Sequence, residues 1–443
     1  MGGRPIRIVL VSPRGPLYKH GTGIWKKSMR YAPLTLTTLA ALIPPEIDHT
    51  ITLVDEGVQD VDLNIEADLI GISAITGSSP RSYELADHFR RRGIPVVLGG
   101  VHPTLMPDEA AAHADAVVVG YAEQTWPQLL RDFVAGRLQA RYTQGPDHTL
   151  AGLPIARRDL LPRSQYTTMN SFEATRGCIH TCEFCVVPTA WGTTPYQRPV
   201  GEVVAEIRAT GARRVVFLDL NLIADVAYAK ELFTALIPLR LTWGGLATTM
   251  IAHDEELLDL AARSGCRGLL FGFESPSQAA LKAIRKGFNT RADYHQVVKA
   301  VHDRNIAIFG CFVFGFDTDT KDSFAETVDL VQETCIDLPR YALMTPFPGT
   351  PLFHRLKEEG RILTEDWSLY DAQHVVFQPA SMTPDELWRG HEWAWKETYK
   401  FGSITRRLMG SRTQPLVAMA TNLGYRFYAH NLHRFYTCRE AIL

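Results

Sequence analysis

The chain has 443 residues, 46% of them hydrophobic and 21% charged, with a formal net charge of −2. That is an ordinary globular composition, long enough for two or three domains, and it argues against broad nucleic-acid binding, for which a strongly basic face is expected, while leaving room for a local basic patch. No apolar run reaches the ~20 residues of a membrane-spanning helix, and MGGRPIRIVLVSP reads neither as a signal peptide nor, with Ile6 where Ser or Thr is wanted, as a myristoylation site. A cytoplasmic, reducing setting is expected, in which clustered cysteines are metal ligands or catalysts rather than disulfides.

In chain order, residues 1–138 alternate branched apolar runs with amphipathic stretches. Strands are predicted at 6–12, 51–55, 69–74, 96–100 and 116–120, and helices at 33–43, 81–92 and 126–135. Continuous apolar strands between helices imply a doubly wound parallel sheet, which binds ligands beyond its strand ends. Those ends carry Ser12, Thr76-Gly77-Ser78, Gly99-Gly100 with His102, and Gly120 with Glu123. They contain no GxGxxG, so a dinucleotide is not favoured. Residues 139–165 read as a linker. A second series follows over 166–365, with a strand near 172–175 and further strands ending near 219, 248, 274, 314 and 345. Roughly six β/α units fit a full or partial barrel with its site at the strand mouth. Residues 366–443 turn helical and aromatic.

Arg176 to Pro188 reads RGCIHTCEFCVVP, with cysteines spaced by three and then two residues. Thiolates suit zinc or iron–sulfur clusters. A structural zinc takes four ligands, usually from two CxxC pairs. No second CxxC exists, and His180 lies inside the same tight loop. A [4Fe-4S] cluster on three thiolates leaves one iron open to a substrate or cofactor. The plainer alternative is a structural metal loop. Cys266, Cys311, Cys335 and Cys438 are scattered, and the first two sit in apolar runs as small buried hydrophobes.

The CxxxCxxC loop resembles the signature of the radical S-adenosylmethionine (SAM) superfamily. The resemblance implies a [4Fe-4S] cluster on Cys178, Cys182 and Cys185. SAM then binds the open iron and is cleaved to a deoxyadenosyl radical that abstracts a substrate hydrogen. Phe184 matches the family's aromatic residue near the adenine. Glu274 and Ser275, in GFES, match the fourth-strand motif whose acid contacts SAM. Asp219 and Asn221 match a Phe-x-Asp-Asp-Asn segment in which Leu220 replaces the second acid. Arg198 is either a partner for SAM's carboxylate or a solvated arginine. The prolines of TPFPGTPLF at 345–353 either shape the mouth or end a strand.

The front domain resembles the cobalamin-binding-like domain found ahead of many radical SAM enzymes. That resemblance puts the loop Thr76 to Arg81, with Gly77 and Ser78, against the lower corrin face, and Gly99, Gly100 and Gly120 along the nucleotide-tail slot. The chain departs from the Asp-x-His-x-x-Gly pattern: Asp55 is followed by Glu56-Gly57-Val58. Tyr121 stands where relatives have a glutamate. His102 reads as a cobalt ligand, a tail partner or a packed loop histidine.

Together these readings give an α/β chain: a Rossmann-type doubly wound sheet, a partial (β/α)6 TIM-type barrel and a helical C-terminal region. The resemblance implies a cobalamin-dependent radical SAM C-methyltransferase acting on an unactivated carbon of a small or lipid-like natural product, similar to the hopanoid C-methylases. The alternatives are a radical cyclase, isomerase or oxidase with the same cofactors, and a non-catalytic corrin-binding module. An electron donor such as flavodoxin or ferredoxin is implied. Trp388, Trp393, Trp395, Tyr399 and Phe401 either line an apolar pocket or pack a core. The basic, aromatic stretch 423–435 is either a helix on a membrane surface or an ordinary docked helix.

Overall fold

The computed structural model describes residues 4–15 and 28–432. It divides into two compact units: Met1–Ser171 with Thr189–Trp191 and Asp366–Asp371, and the remainder of the chain.

The first unit is built on six strands: β1 (Ile6–Ser12), β2 (His49–Asp55), β3 (Leu69–Ser73), β4 (Val96–Gly99), β5 (Ala116–Val119) and β6 (Arg141–Thr143). All pair in parallel, in the order β2-β1-β3-β4-β5-β6. The central strands β1, β3, β4 and β5 are mainly apolar because both faces are covered. Val9, Val11, Ile70 and Val96 pack on Leu85 and Phe89 of the helix Ser79–Arg91. Ile8, Leu10, Leu69 and Val97 pack on Leu36, Trp126 and Leu129. The expected linker contains β6, which at three residues is too short to show a period. The winding direction reverses between β1 and β3, so their carboxyl ends form the crevice of the sheet.

The second sheet keeps chain order: β7 (Ser171–Phe172), β8 (Arg214–Phe217), β9 (Thr242–Leu246), β10 (Cys266–Glu274), β11 (Ala307–Phe314) and β12 (Leu338–Leu343). From β8 to β12 the pairing is parallel, with a helix between each pair of strands. This is the partial barrel. Along β11, Ile308, Phe312 and Phe314 are buried, while Phe309, Cys311 and Val313 are half-buried on the opposite face.

The C-terminal region forms three helices, Pro384–Thr398, Phe401–Ser411 and Pro415–His430. Fully buried Arg407 fastens them to the sheet. Its Nη1 donates to the carbonyls of Ile336 and Asp337, and its Nη2 to Thr398 O and Asn422 Oδ1. The aromatic residues split. Trp395 and Tyr399 are core, whereas Trp393 and Phe401 are 43% and 61% exposed. Residues 433–435 of the basic stretch, and Cys438, lie outside the described residues. No described helix is long and apolar enough to cross a membrane.

Candidate active site

The cysteine loop is pinched at its base. Thr175–Arg176 pairs antiparallel with Tyr196–Gln197, closing the chain between them into one excursion. Gly177 sits at the pinch with φ +88°, and a Cβ there would lie 2.7 Å from Thr194 O, so only glycine fits. The Cys185 N–H donates to Cys182 O at 3.1 Å, tightening the second half of the loop.

Cys182 is buried and Cys178 and Cys185 are half-buried. Burial pushes the Cys182 thiol up to about 11 and raises Cys185, so uncompensated thiolates are disfavoured there. A coordinating metal supplies the missing positive charge. Among the described residues no three His, Cys, Asp or Glu side chains converge on a single-ion site. A cubane does not require that, since its thiolates sit on separate irons. The donor set is three soft thiols, and Asn221 Nδ2 points at Cys178 Sγ from 3.8 Å. Buried Asn221 Oδ1 has no partner among the described residues and offers an acceptor to a ligand donor. The residues fit a cluster with a donor-bearing ligand beside it.

At the mouth, a bulge after Gly272 ends the regular pairing of β10 and Glu274 takes φ +66°. Such a kink re-aims a side chain. Glu274 Oε1 meets Lys286 Nζ at 2.6 Å, with both side chains nearly withdrawn from water. Burial works against the Lys286 ammonium, but the Glu274 carboxylate outweighs it and the pKa lies above its ordinary value. Gly272 leaves room for the pair, since a Cβ would lie 2.2 Å from Glu274 Oε1 and 2.6 Å from Lys286 Nζ and would displace them. Ser275 Oγ accepts the Ser277 N–H at 3.0 Å and shapes the turn. Lys286 was invisible in the sequence, having no motif around it.

Asp219 is fully buried at the end of β8 and accepts the N–H groups of Ala174, at 3.1 Å, and Thr175. Burial, with the nearby Glu173 charge, pushes its carboxyl up to about 7. It holds the approach to the cysteine loop. Arg198 is buried rather than solvated, with Nη1 2.6 Å from Glu206 Oε2 and its buried Nε without a partner among the described residues. Phe184 lines a small cleft with Gly315, Met344 and Phe377.

In the first unit the sequence-predicted residues gather at the carboxyl ends of the sheet. Ser12 O accepts the Glu56 N–H. Gly100, at φ +100°, lets the chain pass Ala74, whose oxygen would lie 2.6 Å from a Cβ. The Gly120 N–H donates to Thr104 Oγ1. Gly99 lies against Val118. Glu123 Oε2 is 4.0 Å from His148 Nε2. Thr76 and Ser78 are buried, and Tyr370 O lies 3.4 Å from the Cβ position of Gly77. The side chain this loop presents outward is Ile75, 55% exposed. His102 is fully buried, Nδ1 facing Thr76 Oγ1 at 3.3 Å and Nε2 facing Glu109 Oε1 at 3.2 Å. Trp367 Nε1 donates to the same carboxylate at 3.0 Å. His102 is therefore a packed loop histidine with both nitrogens engaged, and not a free cobalt ligand. The glycine-lined crevice, with an exposed apolar tip and no histidine standing free in it among the described residues, fits a corrin held without imidazole ligation.

Comparison with known proteins agrees with this architecture. The family model described as the radical SAM superfamily matches residues 172–331, and that of the B12 binding domain matches residues 42–130. Bacteriochlorophyllide d C-12(1)-methyltransferase of Chlorobaculum tepidum is 32% identical over 397 residues, covering 85% of this chain and 85% of its own. Hopanoid C-2 methylase of Rhodopseudomonas palustris is 26% identical over 75% of this chain and 66% of its own. The solved structure of the methyltransferase TsrM from Kitasatospora setae, with cobalamin and a [4Fe-4S] cluster bound, shares the fold: TM-score 0.66, 19% identity, 88% of each chain.

Proposed function

This chain belongs to the radical SAM superfamily and carries a B12 binding domain, and on that premise we propose that it is a cobalamin-dependent methyltransferase of an unactivated carbon in a small or lipid-like compound. The observation that carries the reading is the joint presence of a three-thiol loop and a glycine-lined crevice, one in each unit. When bound, the cluster with SAM supplies a carbon-centred radical and cobalamin supplies the methyl group.

The protein's own residues bind, orient and exclude water. Cys178, Cys182 and Cys185 donate three thiolates, and Asn221 orients one of them. Glu274, fixed by Lys286, presents a carboxylate at the barrel mouth for SAM, with Phe184 close in sequence to the last thiol. Asp219 holds Ala174 and Thr175 so that the loop starts in one place. Ile75 and the glycines of the front crevice accept the corrin.

The test is anaerobic purification with hydroxocobalamin, cluster reconstitution, and incubation with SAM and dithionite. Four irons per chain, corrin absorption and release of 5′-deoxyadenosine are expected. In C178A, C182A or C185A the nucleoside release should vanish, and its persistence overturns the reading. With substrate, a product heavier by one CH2 separates methyl transfer from cyclisation, isomerisation or oxidation.

A further inference from the structure

The segment after the helix Gln278–Ala283 touches the cysteine loop at two points and Glu274, at the end of β10, at a third. Ile284 O accepts the Glu183 N–H at 3.1 Å. The Phe288 ring stacks on His180, centroids 3.9 Å apart and planes 18° from parallel. Between them Lys286 runs inward, its Nζ 2.6 Å from Glu274 Oε1 and 5.8 Å from the Phe288 centroid. The left-handed turn at Arg285, φ +58°, lets three contacts come from five consecutive residues. The Lys286 side chain is 12% exposed, so its charge is poorly screened, and Cys182 and Cys185 feel it.

We propose that Lys286 is a positioning residue that sets the reduction potential of the cluster on Cys178, Cys182 and Cys185, with residues 284–288 as the clasp that holds its ammonium there. The inference rests on the cluster reading above. Reduction moves one electron from a low-potential donor, dithionite in the assay, onto the cluster, and the donor is oxidised by the same electron. The added negative charge sits among thiolates and beside Glu274. A buried ammonium stabilises the reduced form more than the oxidised one, and in low dielectric that difference is large. Glu274 acts with the opposite sign. Burial opposes the lysine's charge, and the Glu274 carboxylate first, then the thiolates of Cys182 and Cys185, hold it in place.

The experiment is a redox titration of the reconstituted full-length protein without substrate, read by the electron paramagnetic resonance signal of the reduced cluster. At the wild-type midpoint, K286M should show a reduced-to-oxidised ratio about tenfold lower, a shift of about 59 mV for one electron. K286R, which keeps the charge, should stay within about twofold of wild type by the same relation. E274Q should move the other way, toward easier reduction. A loaded K286M that titrates with wild type overturns the proposal. If K286M retains no cluster, E274Q decides, and an unmoved or lowered midpoint there overturns it equally. Failure of the parent reading looks different: wild type itself then binds no iron and sulfide on the three cysteines.

Discussion

Asn221 aims its side-chain Nδ2 at the Sγ of Cys178 across 3.8 Å, from a buried position just beyond β8. A donor to a coordinating sulfur orients it and lowers its charge density, and losing such a partner typically costs roughly 10–100-fold in metal affinity. N221A should therefore surrender iron to a chelator faster than wild type by that order, with the fold intact by circular dichroism. Equal rates of iron loss would remove Asn221 from the cluster's surroundings.

The pinch at Gly177 makes a separate prediction. A left-handed non-glycine residue costs about 1–2 kcal/mol, and here the new methyl also meets Thr194 O. G177A should lose most of its cluster content, while corrin binding by the first unit is unchanged. Parallel loss of both cofactors would point to global misfolding.

Two buried groups give opposed pH dependences. His391 is buried against Tyr341 O, and burial lowers its pKa to about 4. The unfolded chain binds that proton first, so stability drops as pH falls from about 6.5 towards 4, by up to about 3 kcal/mol. Asp219 runs the other way. Its carboxyl, raised to about 7 in the fold, favours the folded state below the unfolded carboxylate range and loses that advantage as pH rises towards 7. In denaturant titrations of apoprotein, H391Q should lose less stability on acidification than wild type, and D219N more. Matching slopes in all three would contradict the assignments.

His102 supplies a spectroscopic prediction. Because both ring nitrogens already face Thr76 and Glu109, cobalt(II) in the loaded protein should lack the nitrogen splitting of an axial imidazole, and H102Q should leave the signal unchanged. Splitting that disappears in H102Q would restore the ligand reading.

How much of this could be read from the sequence follows from the range of each interaction. The thiols and the GFES segment were legible because their spacing is local and chemical. The five front strands announced themselves by apolar runs, whereas β6, with three residues, carried no period. Lys286 was not legible: it meets Glu274 only through a left-handed turn and an ion pair set by packing. Thr76, Gly77 and Ser78 were correctly placed at the strand ends. Their burial depends on Trp367 and Tyr370, about 290 residues later in the chain, so which side chain faces outward could not be told from the loop alone. Arg198 looked free because Glu206, its partner, sits on the following helix and carries no motif.

The order of strands in the second sheet has a consequence for biosynthesis. Cys185 leaves the ribosome about 100 residues before Lys286, which at 5–20 residues per second is about 5–20 s. During that interval the nascent chain displays all three sulfurs with neither their counter-charge nor the Ile284–Phe288 cover in place. Insertion of iron and sulfide by an assembly scaffold has its easiest access then, and a slower-translated 3′ half of the message would lengthen it.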